Sequence, residues 1–456
     1  MSGVTESEYP ASVMAALLEA ARRRNPLPSG TAAVGVGLIV AGLSAYGTLF
    51  VANKALSDVQ YSPLGALWSL VFLAGPGLFL PFEQEISRAL AERRARRLGG
   101  APVVRRAGTL GLGLLLGVLV LLILSARWLV EHLFDGQIML LVGLALGVAG
   151  ALAGHITRGC MSGTGHFRGY GTYLGADGFI RVLGAVVCLV AGVTIAGPFG
   201  IAIGIAGLLA VPVALRVEKP ELEEGPEAAL SEVGSALLLL LIASLCAFAI
   251  MNIGPVLVKL LADDTQVAAA GRFVNGVVVA RIPLFLFQAV QASLLPKLSG
   301  LAHSGQLGDF RYGLRRLLVA VAGLAFVGTV AGAVLGPFVV ETMFPGSDLG
   351  ARTMGLLAAG AGLYMLAMAC AQALIALGGH ADQAAGWFLG CVALAITVLI
   401  SSQDVFFRVE LSLFAGSAVS LIVMGALLIR RLTAAGPLQI DSGDFVEAIH
   451  DVAIEP

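Results

Sequence analysis

The chain has 456 residues, of which 58% are hydrophobic and only 12% are charged, and its mean hydropathy is +0.91. A soluble protein of this length buries its core with far less apolar sequence, so the composition indicates a polytopic helical membrane protein. The net charge of −1 excludes nothing by itself, because only the distribution of the basic residues carries information.

The first thirty residues lack the pattern of a signal peptide, because a basic cluster follows the short helical stretch Met14–Arg24 instead of preceding an apolar core. The predicted domains are a cytoplasmic N-terminal segment over 1–30, a six-helix bundle over 31–216, a cytoplasmic linker over 217–232, a second six-helix bundle over 233–432 and an acidic cytoplasmic tail over 433–456.

The fold class is therefore all-α, with twelve transmembrane helices in two bundles. The predicted spans are Thr31–Ser57, Tyr61–Arg88, Thr109–Ser125, Gln137–Ile156, Thr172–Ile195, Gly197–Arg216, Val233–Leu261, Val267–Leu295, Leu317–Met343, Leu349–Leu377, Ala384–Ser401 and Val405–Leu432. A charged helix, Glu83–Arg97, is expected to continue from the second span. A glycine-rich loop is expected over Arg158–Gly171 and an external loop over Ala126–Gly136.

Basic residues gather in the segments on one side of the predicted spans, including Arg93–Arg97, Arg105–Arg106 and Arg315–Arg316. Cytoplasmic loops carry such an excess of lysine and arginine, so both termini are predicted to be cytoplasmic. The arginines of the helix Glu83–Arg97 are expected to attract anionic headgroups of membrane lipids. Glu83 itself is expected to be solvated at the cytoplasmic mouth.

The eighth predicted span carries Arg281 near its middle. A charge near the bilayer midplane costs about 2.5–3.5 kcal/mol on insertion scales, so this arginine is expected to face other helices or a water-filled cavity. Pro283 lies two residues further and removes a backbone N–H donor, which predicts a helix kink beside Arg281.

The second span shows a related pattern, with Pro76 and Pro81 inside its apolar run and a kink predicted there too. Its Leu78–Leu80 recurs as Leu284–Leu286 in the eighth span, and the order of the spans is the same in both halves. The sequence therefore predicts an internal duplication, whose halves are related by an axis along the membrane normal.

Arg181 lies about ten residues into the fifth predicted span, at a depth similar to that of Arg281. Two guanidinium groups in a wet cavity suit an anionic ligand, because the planar fork binds phosphate through paired hydrogen bonds. Asp177, one turn before Arg181, offers the alternative of a local salt bridge. Arg281 has no acidic residue within four positions.

Further polar side chains in or near the spans are candidates for lining a substrate cavity. They are Gln288, Gln291, Asn252, Asn275, Arg272, Lys259 and Lys54. The amides either line a path for sugar hydroxyls or cross-link helices. The two lysines lie near helix ends, where a lysine side chain also reaches the membrane surface without binding a ligand.

Several chemistries are not indicated. The sequence contains no HExxH motif, Walker loop or GxSxG motif, and the predicted external loops are short. The five cysteines show neither CxxC nor His/Cys spacing. No enzyme activity, cofactor, metal site or nucleic-acid partner is therefore predicted.

Two stretches, YSPLGALWSLVFLAGPGLFLPFEQEISRAL (Tyr61–Leu90) and RIPLFLFQAVQASLLPKL (Arg281–Leu298), resemble the superfamily of multidrug, oligosaccharidyl-lipid and polysaccharide transporters with a MATE-like fold. The resemblance is closest to actinobacterial polysaccharide flippases. It implies a multi-pass protein of the plasma membrane that moves a lipid-linked saccharide from the inner to the outer leaflet by rocking two bundles. It also implies that Arg281 and Arg181 contact the phosphate of that lipid.

Two other functions stay open. Drug or metabolite antiporters share the fold, but many carry an acidic residue on the first or seventh span, and Thr31–Ser57 and Val233–Leu261 have none. A non-transporting membrane partner in envelope assembly is the third possibility. The expected partners of a flippase are the lipid-linked saccharide, membrane lipids, a coupling ion, and a polymerase or glycosyltransferases of the same pathway.

Overall fold

The computed structural model describes residues 30–229, 237–263, 267–284, 287, 301, 306–401 and 404–434. Within these residues the chain is all-α. The helices are α1 (Thr31–Ala55), α2 (Asp58–Ala95), α3 (Ala101–Leu124), α4 (Ala126–His132), α5 (Ile138–Thr164), α6 (Phe167–Val190), α7 (Ala196–Val217), α8 (Leu237–Asn252), α9 (Gly254–Leu261), α10 (Val267–Ala280), α11 (Leu307–Met343), α12 (Ala351–Ala376), α13 (His380–Ile400) and α14 (Val405–Ala434).

Ten of these helices are long and apolar enough to cross a membrane, and the count is eleven if the bent pair of α8 and α9 forms one span. The number of spans in the described part of the chain is therefore lower than the twelve that the sequence predicts. The missing one is the predicted eighth span, of which α10 is the first part and of which residues 285, 286 and 288–295 lie outside the described residues.

The second span and the charged helix after it form one helix, α2, which continues through Pro63, Pro76 and Pro81, as the sequence predicts. Two predicted loops were wrong. The predicted glycine-rich loop is largely helical, because α5 runs to Thr164 and α6 begins at Phe167. Glycines in membrane helices allow close packing without ending the helix, which explains this error. The predicted external loop over 126–136 contains the short helix α4.

The seventh span, predicted to be continuous, is broken. Helices α8 and α9 meet at Ile253 with a bend of 59°. Pro255 lies at the start of α9, where its missing N–H donor is tolerated but would interrupt a continuous helix. The break predicted beside Arg281 is present: α10 ends at Ala280, and the Leu284 N–H donates to the Arg281 carbonyl oxygen at 3.0 Å in a tighter turn.

The helices pack in the same order in both halves of the chain. In the N-terminal bundle α1 packs on α6, α2 on α5, α5 on α7 and α6 on α7; in the C-terminal bundle α8 packs on α13, α10 on α12, α12 on α14 and α13 on α14. Each bundle has a large apolar cluster of its own. The bundles meet where α2 packs against α8, α9 and α10.

The polar linker is docked on the N-terminal bundle. Arg93 is buried and donates hydrogen bonds of 2.9 Å to the carbonyl oxygens of Gly99 and Pro226. Arg105 forms a two-point ion pair with Glu224, with distances of 3.0 and 2.8 Å. The expectation that Arg93 faces lipid headgroups was therefore wrong, because this guanidinium binds the linker backbone.

Helix backbones within the N-terminal bundle touch through glycines. A Cβ atom on Gly171 of α6 would lie 2.2 Å from the Ala33 carbonyl oxygen of α1, and one on Gly204 of α7 would lie 2.1 Å from the Gly143 carbonyl oxygen of α5. Such distances leave no room for any side chain, so these glycines set the spacing of the helices.

Gly171→Ala is expected to destabilise the N-terminal bundle, because the new methyl group must push α1 and α6 apart. Overpacking of this kind typically costs about 1–3 kcal/mol. Thermal unfolding of the purified protein in detergent measures the loss. Gly113→Ala is the matched control, since a Cβ atom on Gly113 of α3 meets nothing within 4 Å. Equal melting temperatures for the two variants would contradict the close contact.

Candidate functional site

Arg281 lies at the interface of the two bundles, in the turn that follows α10. Its Nη1 donates to Asn252 Oδ1 at 3.1 Å. Tyr46 of α1 and Tyr364 of α12 are its other polar neighbours. Within the described part of the chain, no carboxylate forms an ion pair with this guanidinium. The break at Pro283 places Arg281 outside regular helix, so its side chain emerges where the bundles meet.

A small cavity of about 40 Å³, lined by residues of the C-terminal bundle, opens beside Arg281. Apart from the guanidinium, its wall is mostly apolar, with Met251, Leu413 and Tyr364 among the lining residues and the Ser417 hydroxyl as a further polar group. The cavity therefore places a cation beside an apolar surface.

Arg181 makes the local salt bridge that was one of its two alternatives. Its Nη2 lies 2.6 Å from Asp177 Oδ2, and its guanidinium carbon lies 5.1 Å from the centroid of the Phe72 ring. Its Nε and the other Asp177 oxygen have no hydrogen-bond partner in the described structure. Asp177 thus neutralises the charge of Arg181, but one polar atom of each side chain remains without a hydrogen bond in the described structure.

Phe72 and Asn252 connect the two arginines. Asn252 Nδ2 donates to the Phe72 carbonyl oxygen at 3.4 Å, while its Oδ1 accepts from Arg281. Arg181 lies over the ring of the same phenylalanine. The two guanidiniums therefore approach a single point of the interface from opposite bundles. Arg281 lines the cavity, whereas Arg181 is not among its lining residues.

The remaining predicted site residues lie elsewhere. Asn275 is buried between Tyr61 Oη at 2.9 Å and Ser347 Oγ at 3.0 Å, so it cross-links helices and does not line the cavity. Lys54 lies over the Phe50 ring, 4.4 Å from its centroid. Arg272 lies partly buried on α10 away from the cavity lining. Gln288 and Gln291 fall outside the described residues.

Lys259 is neither a cavity residue nor a side chain that reaches the membrane surface. Its buried ammonium forms a 2.8 Å ion pair with Asp135, which precedes α5. The pair joins the two bundles at the end of the molecule where α2 begins, which is called the Asp58 end. The bond from Tyr61 to Asn275 lies at the same end. At this end the bundles are held together by side-chain contacts across their interface.

A buried ionic cluster in the N-terminal bundle was missed by the sequence analysis. The Glu83 carboxylate lies 2.8 Å from His155 Nδ1, 2.8 Å from Arg158 Nη2 and 2.7 Å from Tyr170 Oη. Glu83 was expected to be solvated, and Arg158 to lie in a loop. The cluster joins α2, α5 and α6, and its only sequence signals are Glu83 and His155, which are ionisable residues inside predicted helices.

Glu83→Gln is expected to lower the thermal stability of the protein in detergent, because it leaves Arg158 as a buried cation without its counterion. Removing one partner of a buried pair typically costs about 3–5 kcal/mol. The control is Glu131→Gln on α4, whose pair with Arg127 is exposed and should contribute at most about 1 kcal/mol. A melting temperature unchanged by Glu83→Gln would show that the cluster is not stabilising.

Comparison with known proteins places this geometry in a known fold. No protein-family model matches the chain. Two uncharacterized proteins of Mycobacterium tuberculosis are similar in sequence: one is 27% identical over 82% of this chain and 86% of its own length, and the other is 26% identical over 89% and 93%.

Solved structures show the same architecture at low sequence identity. An inward-facing MATE family transporter of the MOP superfamily superposes with a TM-score of 0.67 at 12% identity, covering 88% of this chain and 95% of that one. Its outward-facing counterpart gives 0.64 at 14% identity, over 89% and 95%. The lipid II flippase MurJ, in an inward closed conformation, gives 0.61 at 13% identity, over 92% and 95%. The chain is a multi-span membrane protein with the fold that MATE transporters and this flippase share.

Proposed function

We propose that the protein is a flippase that moves a lipid-linked oligosaccharide or polysaccharide precursor from the inner to the outer leaflet by alternating access. The observation that carries this proposal is Arg281, a cation at the bundle interface that lines a mostly apolar cavity and has no acidic partner in the described structure. A charge kept in that position needs a compensating anion or water.

The substrate class follows from the chemistry of this site. A guanidinium donates paired hydrogen bonds to phosphate and stays charged at every physiological pH. The apolar wall beside it suits a lipid chain, and Asn252, Tyr46 and Tyr364 supply polar groups near the cation. Together they fit the phosphate or pyrophosphate of a lipid carrier. Arg181 adds a second positive group whose charge is shared with Asp177.

The transport cycle proposed here uses the two bundles as rigid bodies. The recurrent packing order of the helices supports a duplicated, pseudo-symmetric arrangement of twelve spans. The contacts at the Asp58 end support a state closed on that side, which the distribution of basic residues assigns to the outside of the cell. Release of the substrate outward then requires Lys259 and Asp135 to separate.

The cellular setting follows from this substrate. The protein would act in the plasma membrane, with both termini cytoplasmic, in the synthesis of cell-envelope or exopolysaccharide material. Glycosyltransferases would supply its substrate on the inner side, and a polymerase would consume the product outside. The likeness to the lipid II flippase supports a fold suited to this task, and the two mycobacterial relatives have no assigned function that could test it.

Arg281→Ala is expected to reduce flipping strongly while the protein remains inserted. Loss of charge-assisted hydrogen bonds of about 1.5–3 kcal/mol lowers transport roughly tenfold to a hundredfold. Arg281→Lys should restore only part of it, because an ammonium lacks the planar fork. A leaflet-accessibility assay on the lipid-linked precursor, with membrane abundance measured in parallel, gives the result.

The matched control for this experiment is Arg127→Ala, which removes an exposed arginine far from the cavity. Normal flipping by Arg281→Ala at normal abundance would reject the phosphate-binding role. Loss of abundance in Arg281→Ala but not in Arg281→Lys would instead show that the arginine stabilises the fold. Arg181→Ala is expected to give the weaker defect, because Asp177 already shares its charge.

Lys259→Met is expected to open the Asp58 end, because it removes the ion pair between the bundles. Ser62 is buried at this interface and faces Gly271 of the opposite bundle. Labelling of a Ser62→Cys variant by a membrane-impermeant maleimide should therefore increase several-fold. The charge swap Lys259→Asp with Asp135→Lys should restore protection. Unchanged labelling in Lys259→Met would show that this pair does not hold the end closed.

A further inference from the structure

Glu410 is a buried carboxylate that the proposed transport site does not use. It lies near the start of α14, at the Asp58 end, and its exposed fraction is 0%. Neither of its carboxylate oxygens has a hydrogen-bond partner in the described structure. The Thr353 hydroxyl lies near it without meeting hydrogen-bond geometry. Burial removes the hydration of this carboxylate, and no hydrogen bond from the described protein replaces it.

The charged groups around Glu410 do not neutralise it. From α12, Arg352 approaches with its Nε at 3.9 Å, but this half-exposed guanidinium is hydrogen-bonded to Asp404 at 3.0 Å. Asp404, in the turn before α14, is a second negative group. Arg352 therefore interacts with two acids. Its distance to the solvent-exposed Asp404 is shorter than its distance to the buried Glu410.

Ionisable residues on the other helices packed against α14 pair with residues other than Glu410. On α9, Lys259 is paired with Asp135. On α13, Asp382 is paired with Arg431 near the far end of α14. On α14 itself, the Arg408 guanidinium donates to backbone carbonyl oxygens near the end of α13. None of these groups is directed to Glu410.

An apolar cluster that both bundles build covers the start of α14. Phe406 packs on Phe273, with ring centroids 5.2 Å apart, and belongs to a cluster with Phe344 and Phe50. Phe50 lies on α1 of the N-terminal bundle, and its ring centroid is 6.3 Å from that of Phe344. A separation of the bundles at this end would therefore remove Phe50 from the cluster.

We propose that Glu410 is a proton-binding site whose occupancy is linked to closure of the Asp58 end. In the closed state the carboxylate holds one proton in an O–H bond and is neutral in its dry surroundings. When the end opens, that bond breaks, the proton passes to water on that side, and the carboxylate attracts Arg352. Proton binding at Glu410 is independent of the proposed flippase activity, whereas the opening step rests on it.

The first test is the protonation state of Glu410 in the purified protein. Infrared spectroscopy at neutral pH should show the C=O stretching band of a buried protonated carboxylic acid, which Glu410→Gln should remove. Glu131→Gln, which changes an exposed carboxylate, should leave the band in place. Because glutamine has the shape of a protonated glutamate, this variant should fold, and its melting temperature checks this. A band that is absent, or that persists in Glu410→Gln, overturns the proposal.

The second test measures the link to closure through maleimide labelling of Ser62→Cys at a series of pH values. The labelling rate is divided at each pH by that of the unfolded protein, because the thiolate is the reactive form of cysteine. A proton bound preferentially to the closed state stabilises that state, so this ratio should fall several-fold as the pH is lowered. Glu410→Gln should keep labelling low at every pH. The pH dependence should persist in Arg281→Ala, since the proton site is separate from the transport site. Labelling that depends on pH equally with and without Glu410 rejects the link.

If Arg281→Ala transports normally while Glu410→Gln loses the infrared band, the proton site stands and the flippase proposal fails. If Arg281→Ala strongly reduces flipping while the band persists in Glu410→Gln, the flippase proposal stands and the proton site fails.

Discussion

The cost of burying charge in a bilayer is the constraint on which this structure depends. A charged side chain in the apolar part of a membrane must meet an opposite charge, a hydrogen-bonding group or water. The protein meets this requirement in different ways at different depths. Glu83 is surrounded by three partners, Arg181 has one, and Arg281 has an amide and the edge of a cavity.

These groups differ in how completely they are paired. The Glu83 carboxylate has three partners and joins helices of one bundle. Arg281 is less completely satisfied and lies between the bundles, where the packing would change during the proposed rocking motion. Among the described acids, Glu410 is buried with neither carboxylate oxygen hydrogen-bonded, and it lies near the start of α14, whose Phe406 joins an apolar cluster to which both bundles contribute.

Packing within a bundle and packing between bundles differ in kind. Within the N-terminal bundle, backbones touch at Gly171 and Gly204, which leaves no room for relative movement of those helices. Between the bundles, the described contacts include side-chain hydrogen bonds, the buried ion pair of Lys259 with Asp135 and the edge-to-face rings of Phe50 and Phe344. Interactions of the second kind can break and form again without unfolding a helix, so the interface between the bundles is the natural place for motion.

The sequence by itself determined the helical membrane class, the approximate limits of most spans and the distortion of the helix beside Arg281. Hydrophobic length, proline and charge are local properties, and they are sufficient for these features. Only the tertiary structure decided that Asn275 cross-links helices, that Lys259 pairs with Asp135 and that Glu83 is buried. Each of these outcomes depends on a partner far away in sequence. The fate of a polar side chain in a membrane is set by the helix that packs against it, and span-by-span patterns contain no information about which helix that is.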